Sequence, residues 1–379
     1  MDRSLLLLCG LFLSGALCAQ PTVPEILSFW GYPFETVTAT TDDGYILEIH
    51  HILPKNNTKR PVVFLQHGLF ASSETWINNL PNNSAGFLFA DAGFDVWMGN
   101  MRGNGYSNRH ISLSAKSEQY WEFSWDEMAT YDLPAMVATV LERTGQDSLH
   151  YIGHSQGTLT MFAESSKNQN FAKKIRSFFA LAPIATVKYA GESIQDVVAP
   201  LYRSIKGLPD LFGSGQFCPS QGIFEMVEDT VCEPENATIC ADVRNVMRAV
   251  RSTVDCLPMG TSTRNVLHWL QMAMSGRMQS YSYDSALENR RRYRSRIPPL
   301  YDVSKVTVET HLYWSDADAL TDKRDVHEGL LEKLNPAILK GNVELKDLGH
   351  TEFTGPRAVE PVYEPIMRKI WSAWNAERV

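Results

Sequence analysis

The chain has little excess basic charge: 35 Lys and Arg against 43 Asp and Glu leave a net charge of −8 over 379 residues. Without a basic field to hold phosphates, nucleic acid is excluded as a partner. The only basic cluster, Arg290-Arg291-Arg292-Tyr293-Arg294-Ser295-Arg296, reads as a solvated helix or loop face. Internal repeats and low-complexity segments are missing. No CxxC pair and no suitably spaced histidine partner occurs, so neither a metal nor any other cofactor is expected. Beyond the N-terminus no apolar run approaches the 18 or so residues of a membrane-spanning helix. The mature chain is therefore expected to be soluble, with no transmembrane segment.

One shorter apolar run is present. Met1-Asp2-Arg3 leads into a nearly unbroken hydrophobic stretch from Leu5 to Ala19 that ends in small residues. This is the pattern of a secretory signal peptide over residues 1–19. The destination expected is the lysosomal lumen or the cell exterior. The four cysteines beyond it, Cys218, Cys232, Cys240 and Cys256, are an even number in an oxidising compartment and are disulfide candidates. The spacing leaves all three pairings open. Sequons at Asn56, Asn82 and Asn236 are glycosylation candidates consistent with secretion.

From about residue 36 to 183, short buried runs alternate with helical stretches. Strands are expected at Tyr45–Ile52, Pro61–Gln66, Phe94–Met98, Leu149–Ile152 and Arg176–Ala182. Ser124-Trp125-Asp126-Glu127 carries a capping box, a second helix start falls at Asp132-Leu133-Pro134, and Gly145 marks its stop. The alternation ceases between residues 184 and 304, then strands return at Val308–Trp314 and Val343–Leu348. The expected architecture is α/β: a mostly parallel sheet with helices on both faces, built from residues 20–183 and 305–379, with an inserted cap at 184–304.

Gly153-His154-Ser155-Gln156-Gly157 is a G-x-S-x-G motif between an apolar strand and a helix, the setting of a nucleophile elbow. Alone the motif arises by chance in roughly one such chain in ten; the strand–turn–helix context sharpens it. A serine nucleophile requires a base, a group that orients the base, and an oxyanion hole. In this fold the order is Ser, then acid, then His. His350 follows a strand on a loop, where α/β sites form. By contrast, His311 lies within a strand, and His268 and His327 lie on helix-like segments. After strand Val308–Trp314, Asp316 and Asp318 are both placed to reach back. Spacing favours Asp318, and Asp322 and Asp325 read as the next helix start. The backbone N–H groups of Leu69, in His67-Gly68-Leu69-Phe70, and of Gln156 are the natural oxyanion donors; His67 itself is expected to be structural.

These residues carry a resemblance. The runs Ile26-Leu27-Ser28-Phe29-Trp30-Gly31-Tyr32-Pro33, Thr41-Asp42-Asp43-Gly44-Tyr45-Ile46-Leu47, Leu65-Gln66-His67-Gly68-Leu69, Trp97-Met98-Gly99-Asn100 and Phe123-Ser124-Trp125-Asp126-Glu127-Met128 resemble the acid lipase family. That family includes the gastric, lingual and lysosomal lipases. Tyr131-Asp132-Leu133-Pro134-Ala135, the serine motif, and Met259-Gly260-Thr261-Ser262 with Leu267-His268-Trp269 extend the match almost to full length. The resemblance implies an α/β-hydrolase core under a helical cap and lid. Ser155 matches the nucleophile, Asp318 the acid, His350 the base, and Leu69 and Gln156 the oxyanion donors. Cys232 and Cys240 resemble the lid cysteines, with Cys218 and Cys256 as an extra pair.

The chain departs from the family pattern near the acid, where Ser315-Asp316 replaces a Gly-Gly turn and Ala319 a Trp. It departs again after the base, at Thr351-Glu352. The function expected is hydrolysis of neutral lipid esters, triacylglycerols or sterol esters, at a lipid–water interface without a cofactor. A carboxylesterase for soluble esters and a lipid carrier on an inactive lipase fold are the alternatives. An apolar cap distinguishes the lipase, and Leu208–Val227 is rich enough in Phe, Leu, Ile and Met to supply one. In an acid lumen a histidine of ordinary pKa, ~6.5, is only about 3% neutral at pH ~5, so the base must be desolvated or work at a low active fraction.

Overall fold

The structure is a computed structural model that describes residues 20–55, 58–190, 192–208, 215–217 and 260–376. The signal segment 1–19, the four cysteines, Asn56, Asn236 and most of Leu208–Val227 lie outside the described residues. Asn82 sits exposed in a short 3-10 turn, Pro81–Asn83.

Among the described residues nine strands form one sheet in the order β1-β2-β4-β3-β6-β7-β8-β9, with the short β5 pairing with β2. They are β1 (Phe34–Thr40), β2 (Tyr45–Ile52), β3 (Val62–Gln66), β4 (Asp95–Gly99), β5 (Arg109–His110), β6 (Leu149–His154), β7 (Ile175–Leu181), β8 (Thr310–Ser315) and β9 (Leu339–Leu345). β1, β2 and β5 pair antiparallel; from β4 through β3 to β9 every pairing is parallel.

Why these runs become central strands shows in their alternation. Val62 and Phe64 of β3 face one core together with Phe178 and Ala180 of β7. Val63, Leu65, Phe179 and Leu181 face the other. Successive side chains point to opposite faces, so a strand apolar at every position must be covered twice. The first face is covered by α3 (Leu133–Thr144) and α4 (Gln156–Lys167) through Met136, Val137 and Phe162. α2 (Ala85–Asp91) and α8 (Glu364–Ala376) cover the second through Phe87, Ile366 and Ile370. The N-terminal α1 (Val23–Phe29) tucks Val23 and Leu27 into this second core.

Two expectations are corrected. The last strand runs from Leu339 to Leu345, not from Val343 to Leu348. As the outermost strand it is only half-buried, at alternate positions, and so lacks the continuous buried run that marked its neighbours. The helix start at Asp132 is not separate. Trp125–Glu127, a π-helical turn at Met128–Asp132 and α3 run on as one helix, capped by Gly145 at φ 61°. Pro134 is tolerated because the wider turn precedes it.

Among the described residues no strand of the sheet lies between Leu181 and Thr310. That interval carries α5 (Glu192–Gly207), α6 (Thr263–Ser275) and α7 (Ala286–Tyr293). The basic cluster falls on α7, where exposed Arg291 and Arg292 pair with Glu288. α6 starts where the Ser262 hydroxyl accepts from the Asn265 N–H and ends at Gly276 in the left-handed region. Among the described residues no helix is long and apolar enough to cross a membrane.

Candidate active site

Ser155 stands between β6 and α4 with φ 52° and ψ −119°, a conformation an L-residue adopts only under constraint. The constraint is the tight turn itself. A Cβ on Gly157 would lie 2.6 Å from the Gln66 carbonyl oxygen, and one on Gly153 would lie 2.9 Å from the Gly157 backbone. These glycines let strand and helix approach closely enough to push the serine out at the sheet's C-terminal edge. Gly68 serves the facing loop in the same way, for a Cβ there would meet Ser155 Cβ at 3.0 Å.

The Ser155 hydroxyl lies 2.8 Å from His350 Nε2, and His350 Nδ1 lies 3.0 and 2.9 Å from the two Asp318 oxygens. All three side chains are buried. With Nδ1–H donating to the carboxylate, Nε2 is left to accept the serine proton. Burial works to raise the Asp318 pKa. The adjacent His350 and the Thr321 and Leu320 amides outweigh it and hold the carboxyl below its ordinary range. Both amides reach Oδ1 at 2.9 Å.

Asp316 is exposed and Asp318 is the residue that faces His350. Asp322 caps the following short helix by accepting from the Arg324 N–H. His327 is exposed with its ring edge-on to Trp314, and His311 is buried in β8, stacked on Phe179. His268 packs flat on Trp125 with ring centres 4.1 Å apart. His67 is structural: Nδ1 donates to the Gly68 carbonyl and Nε2 accepts from the Met101 N–H.

Leu69 follows Gly68 on the loop that faces Ser155. Its neighbour Phe70 is held at φ 54° with its ring 5.8 Å from that of Phe217. Gln156 occupies the first position of α4, where a backbone N–H has no carbonyl partner within the helix. Both amides thus belong to segments that flank the serine.

Several contributors carry no motif signal. His154 Nε2 donates to the His350 carbonyl at 2.9 Å, tying the His350 backbone to the elbow. Burial and the neighbouring His350 push the His154 pKa down to about 3, so its ring is neutral. The Thr321 hydroxyl sits 3.5 Å from His350 Nδ1. The departures from the family pattern are used. Ser315 Oγ accepts from the Ala317 and Leu348 N–H groups, joining the acid's turn to the histidine's loop. Glu352 accepts from the Gly349 N–H and pairs with Arg357. Motif spacing foretells none of these contacts, because each joins residues that only the folded chain brings together.

A parallel sheet with a strained serine at its C-terminal edge, hydrogen-bonded to histidine and aspartate, defines an α/β hydrolase. Residues 23–80 match a family described as a partial α/β-hydrolase lipase region, and residues 61–204 match the α/β hydrolase fold. Lipase lipl-5 of Caenorhabditis elegans is 46% identical, covering 92% of this chain and 91% of that one. Lipase member K and gastric triacylglycerol lipase, both of Mus musculus, are each 40% identical; they cover 93% and 92% of this chain and 91% of their own. Among solved structures, DcsB in complex with its substrate analogue shares the fold at a TM-score of 0.59 and 13% identity. The match covers 90% of this chain and 99% of that one. The chain belongs to the acid lipase family of α/β hydrolases, and it is a lipase.

Proposed function

We propose that the protein hydrolyses neutral lipid esters, triacylglycerols or sterol esters or both, at a lipid–water interface, through an acyl-enzyme on Ser155. His350 takes the serine proton as Oγ attacks the ester carbonyl, then returns it to the departing alcohol. Asp318 keeps the imidazole in the required tautomer and balances the imidazolium. The Leu69 and Gln156 N–H groups receive the charge that develops on the carbonyl oxygen. Water, activated by the same histidine, then releases the fatty acid. No cofactor enters any step.

The observation that carries this reading is the unbroken line of hydrogen bonds from Ser155 Oγ through His350 to Asp318. The printed names of the relatives, a gastric triacylglycerol lipase among them, support the substrate class. We further assign residues 1–19 to a signal peptide, 20–183 with 305–379 to the hydrolase core, and 184–304 to a cap over the site. The secretory route is the destination that follows, ending in the lysosomal lumen or outside the cell.

The test is hydrolysis of emulsified triolein and of a cholesteryl ester from pH 4 to 8, with Ser155→Ala as control. Activity on at least one of them, lost at least 10³-fold in the variant, is expected. A folded protein inactive on every ester, or an active Ser155→Ala variant, overturns the reading.

A further inference from the structure

The amide of Gln156 is one of the two donors assigned above to the oxyanion hole, yet its side chain does not point toward solvent or substrate. It is buried, and its carboxamide oxygen accepts two hydrogen bonds from α6: Asn265 Nδ2 at 3.0 Å and Trp269 Nε1 at 2.7 Å. The carboxamide nitrogen rests 3.4 Å from Met128 Sδ. Asn265, fully buried, is fixed in turn. Its oxygen accepts from the Trp125 N–H at 2.8 Å and its nitrogen also reaches the Thr261 hydroxyl at 3.0 Å. Residue types this specific are not needed to fill space; a Met or Leu at 156 would do that.

We propose that Asn265 and Trp269 are positioning residues that hold the Gln156 N–H in its oxyanion-binding orientation, so that the hole is complete only while α6 is seated. The proposal rests on the reading of Ser155 as nucleophile. Ser155 is held at a strained φ, and the simplest relaxation of that strain rotates the Ser155–Gln156 peptide, which carries the donor N–H. Anchoring the Gln156 side chain at its far end opposes this rotation, since two buried hydrogen bonds would have to break with it. The anchor comes from the interval between β7 and β8, whereas the base and acid come from loops after β8 and β9. Displacement of α6 therefore weakens charge stabilisation while leaving Ser155, His350 and Asp318 in contact.

Trp269→Phe removes the N–H donor and keeps the ring; Gln156→Met removes the acceptor and keeps the backbone donor. Both are measured on a water-soluble ester, p-nitrophenyl butyrate, so that lipid binding plays no part. We expect kcat to fall about tenfold in each, a fraction of the loss when an oxyanion donor is deleted outright, with KM within twofold of wild type. The inhibition constant of butylboronic acid, whose tetrahedral serine adduct places an oxygen in the hole, rises by the same factor. The double variant loses no more than Gln156→Met alone, because that change already removes the bond Trp269 makes. A Trp269→Phe enzyme with unchanged kcat and unchanged boronate affinity overturns the proposal, as do losses that multiply in the double variant. Ser155→Ala separates the two levels. If it stays active, the reading of the nucleophile fails; if it is dead while Trp269→Phe is unaffected, only the link fails.

Discussion

Asp318 is the residue whose environment says most about how the site runs. It is buried, faces His350 with both oxygens and takes two backbone N–H groups, so its negative charge is stabilised within the fold. A carboxyl with a lowered folded pKa contributes stability above its unfolded value of ~3.9 and loses it only as pH falls through the folded value. The fold therefore favours the ionised form of Asp318 more than the unfolded chain does. Asp318→Asn preserves shape but offers His350 Nδ1 an amide that can turn its donor toward the ring and reverse the tautomer. We expect kcat to drop by about 10³–10⁴ with KM nearly unchanged. A steady-state assay on a soluble ester checks this, and a loss under tenfold would remove Asp318 from the role given to it.

At the scale of elements, the site is a meeting of segments that three glycines, Gly68, Gly153 and Gly157, allow to approach closely. Gly68 and Gly157 make opposite predictions. A methyl on Gly68 would press on Ser155 Cβ at 3.0 Å and His154 Nδ1 at 3.1 Å, contacts that a shift of a few tenths of an ångström at the serine relieves. Gly68→Ala should fold with a melting temperature near wild type but lose roughly 10–100-fold in kcat through a misplaced serine. A methyl on Gly157 meets two carbonyl oxygens of β3 and its following loop, at 2.6 and 2.9 Å, and neither can move without the sheet. Gly157→Ala should cost roughly 1–3 kcal/mol of stability, read from denaturant unfolding. The same geometry explains what the sequence could disclose. The elbow, β3 and β6 are legible because local pattern and tertiary role coincide there: apolar runs, glycines at close approaches, a helix directly after. The Asp318 and His350 loops are legible from chain order and strand ends. β9 was misplaced by four residues because an edge strand carries a weaker pattern. The Gln156 anchor, the His154 tether and the Ser315 link were invisible, since each pairs residues 33 to 196 positions apart in the chain or joins separate layers.

Over the whole molecule, two sets of buried groups respond to acid in opposite senses. His67 and His268 are pushed down to about 4 and His150 and His154 to about 3, in each case chiefly by burial. Such histidines are neutral when folded and charged when unfolded, so they favour unfolding as pH falls below ~6.5. Burial also raises Asp126, Asp132 and Asp325 to about 6 and Glu164 to about 7. These carboxyls hold a proton in the folded state that the unfolded chain has already released. They contribute stability that is fully present below ~4 and is lost as pH rises through 6–7. Between pH 4.5 and 6 the two sets act in opposite directions, the carboxyls offsetting part of the stability that the histidines lose toward acid. Asp126 is the member to remove: it is buried, and it joins the core to the segment after α6 by accepting from the Tyr281 N–H and the Tyr301 hydroxyl. Asp126→Asn shifts the absolute stability by an amount set by those two bonds, but it also deletes one proton from the balance. The slope of unfolding free energy against pH between 4.5 and 6 should become steeper by up to about 1.4 kcal/mol per pH unit, with stability lost toward acid. Denaturant unfolding at four pH values measures it directly. A variant whose curve runs parallel to that of the wild type would mean that Asp126 is ionised in the folded protein.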